Sequence, residues 1–387
     1  MSMLGRTDRS HVSAWWWTIE HWLLTLSIVL MLLGILLSMA ASPPVAHRLD
    51  LDSFHFVKRQ LIYLGPAMAV MILASMLSLR QTRRLSLIVM VAGLGLMGLT
   101  IAIGPEVKGA TRWLPFGGFS LQPSEFVKPA FVVVCAWLFA ERDRRPDVPS
   151  YTLAILLYAG FVTLLVLQPD FGQVILVTLV WGSLFFLAGL AWWWIAALSV
   201  MGVVGGVAAY YSLEHVAVRI DRFLSPGSGD TFQVDMALQA IKSGGWFGKG
   251  PGEGTVKAVL PDAHSDFVFA VAAEEFGIVV CLGLVAIFMT IILRGLNRAL
   301  SETDGFARLA SSGLIILFGL QALINIGVNL SLLPAKGMTL PFISYGGSSL
   351  LSVALTMGLV MGLTRKRAEG ELPDQVWHNR HDATESK

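Results

Sequence analysis

About ten long apolar segments constrain the fold of this chain more than any other feature of its sequence. A helix needs about 20 apolar residues to cross the hydrocarbon core of a bilayer, and a helix satisfies its own backbone hydrogen bonds there. Charged residues make up only 14% of the 387 positions, against roughly 25% in a soluble domain. The sequence therefore predicts an all-α integral membrane protein with about ten transmembrane helices. The segments are residues 22–41, 60–79, 85–104, 124–141, 151–168, 171–189, 192–212, 266–294, 309–332 and 344–363.

Basic residues are concentrated in the loops on one side of the predicted membrane. Cytoplasmic loops retain Lys and Arg, which orients a multi-span protein. With both termini inside, the cytoplasmic set is Arg6, Arg9, Arg80, Arg83, Arg84, Arg142, Arg144, Arg145, Arg294, Arg298, Arg308, Arg365, Lys366 and Arg367. We therefore expect both termini in the cytoplasm. The net charge of +2 is too small to indicate a nucleic-acid partner.

The membrane region forms one predicted domain, residues 15–367, between polar cytoplasmic tails at 1–14 and 368–387. A large extracytoplasmic loop, residues 213–265, joins the seventh and eighth predicted spans. Loops of this length in compact proteins are usually functional or disordered. The other outer loops are also rich in Gly, Pro and polar residues, whereas the cytoplasmic loops are short and basic. We expect any chemistry to take place on the outer face.

The large loop contains a glycine-rich segment, "GGWFGKGPGEG", at residues 244–254. Its spacing differs from that of a nucleotide-binding loop, and no Ser or Thr follows Lys249. Glycines in such a segment favour a flexible or tightly turned loop.

Three basic residues, Lys108, Arg112 and Lys336, lie in short outer loops despite the pressure that removes positive charge from that side. Each could contact solvent or lipid headgroups. An anionic substrate is the other explanation, because Arg and Lys bind phosphate strongly.

Two polar pairs fall inside predicted spans at helical spacing. Glu125 and Lys128 are three residues apart, so they can pair on one helix face, and Asn325 and Asn329, four apart, also share a face. Polar groups in spans face the bundle interior or a cavity. These pairs therefore predict either interhelical bonding or the lining of a cavity.

The stretch "LPDAHSDFVFAVAAEEFG", residues 260–277, carries ionisable residues into the eighth span. Asp266 lies at the predicted helix start, where free amide groups and the helix dipole stabilise a carboxylate. Glu274 lies about 12 Å further along, and Glu275 points about 100° away from it. Only Asp266, with His264 close by, is predicted to face an outer cleft. We expect Glu274 and Glu275 to be interior packing and hydrogen-bonding groups.

Five motifs in order resemble the SEDS family of peptidoglycan glycosyltransferases. They are "KGATRWLPFGGFSLQPSEFVKPA" (108–130), "QPDFG" (168–172), "GGWFGKGPGEG" (244–254), "LPDAHSDFVFAVAAEEFG" (260–277) and "LLPAKGMTLPFISYGGSS" (332–349). The long outer loop and the polar tails are most similar to the cell-division branch of that family.

The resemblance implies polymerisation of lipid II, the undecaprenyl-pyrophosphate-linked disaccharide pentapeptide, by β-1,4 glycosyl transfer. The essential aspartate of the family falls on Asp266, which we expect to be the general base, with Ser265 where many relatives have Thr. Pyrophosphate is a good leaving group that needs cations rather than an acid, so we expect basic side chains or a Mg²⁺ or Mn²⁺ ion shared with the pyrophosphate, and no organic cofactor. The predicted substrate-binding residues are Lys108, Arg112, Glu125, Lys128, His264, Lys336 and Ser344.

Partners and location also follow from the resemblance. It implies a cognate class B penicillin-binding protein, an FtsI-like transpeptidase, regulated by the FtsQ–FtsL–FtsB group. It also implies the bacterial cytoplasmic (inner) membrane, the division septum, and an active site on the periplasmic side. A lipid II flippase would share every feature except the base, and a non-catalytic division scaffold would use the outer loops as a docking surface. Both alternatives stay open at the level of sequence.

Overall fold

The computed structural model describes residues 11–107, 109–117, 119–142, 145, 147–189, 232–334 and 337–366, together with scattered positions between 200 and 217. Nearly all of its regular structure is helical. The helices are α1 (His11–Thr18), α2 (His21–Arg48), α3 (His55–Ser75), α4 (Leu79–Ile103), α5 (Pro123–Glu141), α6 (Ser150–Leu167), α7 (Phe171–Leu187), α8 (Phe232–Gly244), α9 (Val268–Leu300), α10 (Gly305–Asn329) and α11 (Gly347–Leu363). A short hairpin, β1 (Leu114–Phe116) and β2 (Phe119–Leu121), precedes α5, and a 3₁₀ turn covers Val256–Ala258.

Seven of the described helices, α2 to α6 with α9 and α10, are long and apolar enough to cross a membrane. The apolar helices α7 and α11 are shorter. The prediction of an all-α, multi-pass membrane protein is confirmed. The predicted span 192–212 and the first part of the 213–265 loop lie largely outside the described residues, so the count of ten stays a prediction.

Both described ends of the chain lie at the same end of the bundle. The backbone amide of Lys366 donates to the carbonyl of Thr18 (3.2 Å). Close by in sequence, Glu20 pairs with Arg294 (3.2 Å), in the last two turns of α9. These contacts place the two ends on one side, which is consistent with the even number of crossings that the sequence predicts. This end, which carries most of the basic residues, is called the inner end below.

Three helices, α5, α10 and α11, form the centre of the bundle, and most of their side chains are buried. Small residues allow close helix contacts there, as is common in membranes. A Cβ atom on Gly358 of α11 would lie 2.5 Å from the carbonyl oxygen of Met71 in α3. The peripheral helices α3, α4 and α6 instead keep one exposed apolar face, as lipid contact requires.

Helix α9 is broken at Gly277, which has φ 81° and ψ 177°. The Cys281 sulfur lies 4.0 Å from the carbonyl oxygen of Phe269, although twelve residues of continuous helix would separate such groups by about 18 Å. The first segment, residues 268–276, therefore folds back on the second, residues 278–300. The expected single span at 266–294 is wrong in this respect, because only the second segment is a membrane-crossing helix with a lipid-facing side.

The connection between α10 and α11 is a re-entrant loop, residues 337–346, with little regular structure. Non-helical backbone is tolerated at membrane depth only where protein or a cavity surrounds it. Here protein does so: Gln60 of α3 donates to the carbonyl of Ile343 (3.3 Å), and Phe342 and Ile343 are buried. Gly34 of α2 leaves room for the backbone, because a Cβ there would lie 2.5 Å from the Phe342 oxygen.

Candidate active site

Asp266 lies in the turn before α9, half-buried, and two asparagines of α10 hold its backbone. Its carbonyl oxygen accepts from the side-chain amides of Asn325 (2.9 Å) and Asn329 (3.0 Å). The Asn329 oxygen in turn accepts from the Ala270 amide (3.1 Å) in the first turn of α9. The predicted shared face of the asparagines is confirmed. Since α10 starts at the inner end, Asp266 lies at the opposite, outer end.

The carboxylate of Asp266 lies beside the re-entrant loop. A Cβ atom on Gly337 would lie 3.2 Å from Asp266 Oδ2, so a larger residue there would crowd the carboxylate. Asn325 fastens this part of the loop by also donating to the Met338 carbonyl (2.5 Å). Lys336 precedes Gly337 in the chain but lies outside the described residues, so its role stays a prediction.

His264 joins the same region. Its ring centroid lies 4.2 Å from that of Phe56 and 5.4 Å from that of Tyr345. Its carbonyl oxygen accepts from the Tyr345 amide (3.0 Å). The neighbouring Ser344 is buried, and its hydroxyl accepts from the Leu340 amide (2.7 Å), which fixes the turn. Their predicted contact with substrate stays a prediction.

A second polar cluster lies at the start of α5. Glu125 and Lys128 pair at 2.8 Å with nearly complete burial, which confirms the pairing predicted from their spacing. Gln173 of α7 also donates to Glu125 Oε1 (3.0 Å). The second oxygen of Glu125 and the side-chain oxygen of Gln173 have no hydrogen-bond partner within the described part of the chain. These two buried oxygen atoms could therefore accept further hydrogen bonds.

Arg112 braces the connection between α6 and α7. Its guanidinium donates to the carbonyls of Gln168 (3.2 Å) and Pro169, and it pairs with Asp170 at 3.5 Å. Burial raises the pKa of Asp170, while the charges of Arg112 and Lys128 act in the opposite direction. Arg112 keeps about 20% of its side chain exposed, so its predicted contact with an anion stays a prediction. Lys108 lies outside the described residues.

The serine-rich start of α11 connects the two clusters. Ser349 shares a 2.5 Å hydrogen bond with Thr339, two residues after the glycine beside Asp266. One turn later, Ser352 donates to the backbone carbonyl of Glu125 (2.6 Å). The sequence-predicted residues therefore form two polar groups on neighbouring elements at the outer end. Sequence reasoning missed Gln173 and the Arg112–Asp170 ion pair, whose members are far apart in the chain.

Neutralising Glu125 alone is expected to destabilise the protein. Glu125→Gln leaves the buried Lys128 charge without a carboxylate, a change that typically costs about 3–5 kcal/mol. The double variant Glu125→Gln/Lys128→Met removes both charges and is expected to unfold closer to wild type. Thermal unfolding in detergent measures both. If the double variant is as unstable as the sum of Glu125→Gln and Lys128→Met measured singly, the two side chains are not coupled.

Comparison with known proteins shows which family the chain belongs to. A model of the FtsW, RodA and SpoVE family, described as a cell cycle protein, matches residues 20–369. The chain belongs to this family. A relative from Caulobacter vibrioides, described as a probable peptidoglycan glycosyltransferase FtsW, is 46% identical over 94% of this chain and 93% of its own length. The similarly described protein of Pseudoalteromonas translucida is 33% identical, over 88% of this chain and 87% of its own.

Solved structures in the family share the fold. A chain from a peptidoglycan synthase complex, described as coordinating polymerization and crosslinking, is 29% identical with a TM-score of 0.76, over 89% of this chain and 97% of its own. The rod shape determining protein RodA of Thermus thermophilus is 29% identical with a TM-score of 0.67, over 91% and 99%. The family fold therefore extends across nearly all of the described region.

Proposed function

We propose that this chain is a peptidoglycan glycosyltransferase that polymerises lipid II, with Asp266 as the general base. The observation that carries the proposal is the position of Asp266: a half-buried carboxylate at the outer end, its backbone fixed by two asparagines. The family relatives described as probable peptidoglycan glycosyltransferases support the activity. A flippase would share these features but would not need a base at this position.

In the proposed reaction, the 4-hydroxyl of the GlcNAc of one lipid II attacks the anomeric carbon of the MurNAc of the growing chain. Asp266 accepts the hydroxyl proton as the new C–O bond forms, since a general base must reach the proton that it removes. The bond from the anomeric carbon to the pyrophosphate oxygen breaks, and undecaprenyl pyrophosphate leaves with the electron pair. The configuration inverts, which gives a β-1,4 bond.

The leaving pyrophosphate needs positive charge rather than a proton donor. Arg112, with its partly exposed guanidinium, is the described candidate, and Lys108 and Lys336 are candidates by sequence. Lys128 is already paired with Glu125 and buried, so we propose that it braces the start of α5. His264 and Ser344 are proposed to shape the substrate-binding surface beside Asp266.

A Mg²⁺ or Mn²⁺ ion shared with the pyrophosphate is part of the proposal. Within the described residues, no group of three or more His, Cys, Asp or Glu side chains could hold a metal. In the proposal, Asp266 would supply one ligand and the substrate oxygens would supply others, as is usual for Mg²⁺. When bound, such an ion would neutralise charge on the leaving group.

Chelation is expected to slow polymerisation. Adding EDTA to the purified protein with lipid II should lower the rate, and excess Mg²⁺ or Mn²⁺ should restore it. If polymerisation continues undiminished after exhaustive chelation, no metal is needed. The basic side chains would then neutralise the leaving pyrophosphate.

We also propose that the chain works in the bacterial inner membrane with a class B penicillin-binding protein, an FtsI-like transpeptidase, and with the FtsQ–FtsL–FtsB regulators at the septum. The likeness to a chain of a peptidoglycan synthase complex supports the transpeptidase partner. The basic inner end supports a cytoplasmic location for both termini.

Polymerisation of lipid II in detergent tests the proposal, because transport has no meaning in micelles. The purified chain, with and without its transpeptidase, should convert labelled lipid II into strands that a muramidase digests. If neither sample forms strands while the protein is folded and binds lipid II, the proposed activity is wrong.

A further inference from the structure

Two adjacent glutamates, Glu274 and Glu275, lie at the far end of the first segment of α9 with essentially no exposure. Glu274 Oε1 accepts from the backbone amides of Thr255 and Val256, both at 2.8 Å, and its Oε2 accepts from the Lys257 amide at 2.8 Å. Buried carboxylates of this kind are tolerated only with such partners. The prediction that these glutamates are interior hydrogen-bonding groups is confirmed.

Lysines complete the arrangement. The Lys257 ammonium is almost fully buried, pairs with Glu275, and donates to the Ala40 carbonyl in α2 (3.0 Å). The Lys249 ammonium pairs with Glu274 at 3.2 Å. We call these four side chains, Lys249, Lys257, Glu274 and Glu275, the loop clamp.

The glycine-rich segment packs directly on the break in α9. The amides of Lys249 and Gly250 donate to the carbonyls of Glu274 (2.9 Å) and Glu275 (3.0 Å). A Cβ atom on Gly244 would lie 1.9 Å from the Ala273 oxygen, and one on Gly248, at φ 80°, 2.1 Å from the Glu275 oxygen. These glycines therefore serve close backbone contact: the backbone of this part of the predicted outer loop packs on α9, while Trp246 and Phe247 keep their side chains exposed.

The clamp closes a loop in the chain that has Asp266 at its middle. Asp266 is nine residues after Lys257 and eight before Glu274. One arm of this loop is the first segment of α9, and the other runs from the 3₁₀ turn to Asp266. Arg48 holds the second arm by donating to the Leu260 carbonyl (2.8 Å). The clamp and the Arg48 contact thus hold both arms that lead to Asp266.

We propose that the loop clamp is a positioning device for Asp266. Glu274 and Glu275 tie the segment 249–257 to the end of the α9 segment, and this sets where the Asp266 carboxylate stands between α10 and the re-entrant loop. The inference rests on the proposed function for its kinetic consequence. The clamp touches no reacting atom. Its effect is on geometry, and a misplacement of about 1 Å can cost about 100-fold in rate.

Glu275→Gln is the direct test. It leaves the Lys257 ammonium buried without a carboxylate, which can impair folding. The second variant, Lys257→Met/Glu275→Gln, removes both charges at similar volume and lacks the Lys257–Glu275 half of the clamp. Glu253→Gln is the matched control, because Glu253 lies in the same loop and is exposed.

The kinetic readout is lipid II polymerisation per folded protein. We expect kcat to fall about 10- to 100-fold in the clamp variants, with KM changed less than about threefold, and no change for Glu253→Gln. Unchanged kcat in the folded double variant would overturn the proposal. So would a loss of rate explained entirely by a smaller folded fraction.

A second readout does not depend on activity. Asp266→Cys is labelled with a small, charged, thiol-reactive methanethiosulfonate, with the parent protein as background, since Cys135 and Cys281 are both buried. Adding Lys257→Met/Glu275→Gln should change the labelling rate at least about fivefold, and adding Glu253→Gln should not. An unchanged labelling rate would refute the positioning role. A changed labelling rate, together with no polymer from the folded parent protein that keeps Asp266, would refute the proposed function alone.

Discussion

Asp266→Asn is expected to lower the rate of lipid II polymerisation by about 10²–10⁴-fold, the range that general-base catalysis contributes. The amide is nearly the same size as the carboxylate but cannot accept the hydroxyl proton. The fold should survive, because Asn325 and Asn329 bind the carbonyl oxygen of residue 266 and not its side chain. The loss should therefore fall on kcat, with KM and thermal stability close to wild type.

The matched control is Asp52→Asn. Asp52 is an exposed aspartate that pairs with Lys58 at 2.7 Å. Its replacement should leave the polymerisation rate unchanged. A folded Asp266→Asn protein with a rate within about threefold of wild type would show that Asp266 is not the base.

Gly277→Ala is expected to prevent accumulation of folded protein. Gly277 has φ 81° and ψ 177°, a backbone region that essentially only glycine adopts and that costs other residues about 1–3 kcal/mol. The added Cβ would also lie 2.4 Å from the Trp246 oxygen and 2.5 Å from the Gly248 amide nitrogen, both backbone atoms. Relief requires the glycine-rich segment to leave the break in α9, which would also pull the loop clamp apart.

Gly283→Ala is the control within the same helix. Its added Cβ has no heavy atom within 4 Å and its backbone is helical, so alanine should be tolerated and can raise helix stability. Detergent extraction followed by size-exclusion chromatography measures the folded yield of both. Equal yields for the two variants would show that the fold-back of α9 does not need a glycine at 277.

Much of the bundle and part of the candidate site could be predicted from the sequence, because helix spacing alone determines which side chains share a face. That rule paired Glu125 with Lys128 and placed Asn325 beside Asn329, and both are confirmed. The length of the apolar runs placed seven of the spans within the described residues. Neither rule shows whether a side chain contacts the substrate or only packs against neighbouring helices, so the substrate-binding roles stay predictions.

The break in α9 could not be predicted in this way. Apolar residues dominate on both sides of Gly277, so the sequence predicts one continuous helix there. The break depends on an earlier segment, whose donors to Glu274 and Glu275 lie 18 residues before them in the chain. The one available signal was the pair of glutamates itself, since a membrane helix does not keep two charges without partners.

The Arg112–Asp170 pair was missed for a related reason. The two residues lie in different loops 58 positions apart, and the spacing rules for one helix do not apply to them. Asp170 alone reads as a turn residue. Its buried pairing becomes visible only when α5, α6 and α7 are packed together.

Reconstitution into liposomes tests the central claim most directly. Labelled lipid II is supplied to the outer face of the protein, and three quantities are followed in one sample: polymer formed, undecaprenyl pyrophosphate released, and lipid II that crosses the bilayer. The account predicts muramidase-sensitive strands with one pyrophosphate-linked lipid released per new glycosidic bond, all lost in Asp266→Asn. Lipid II transport without polymer, undiminished in Asp266→Asn, would contradict it.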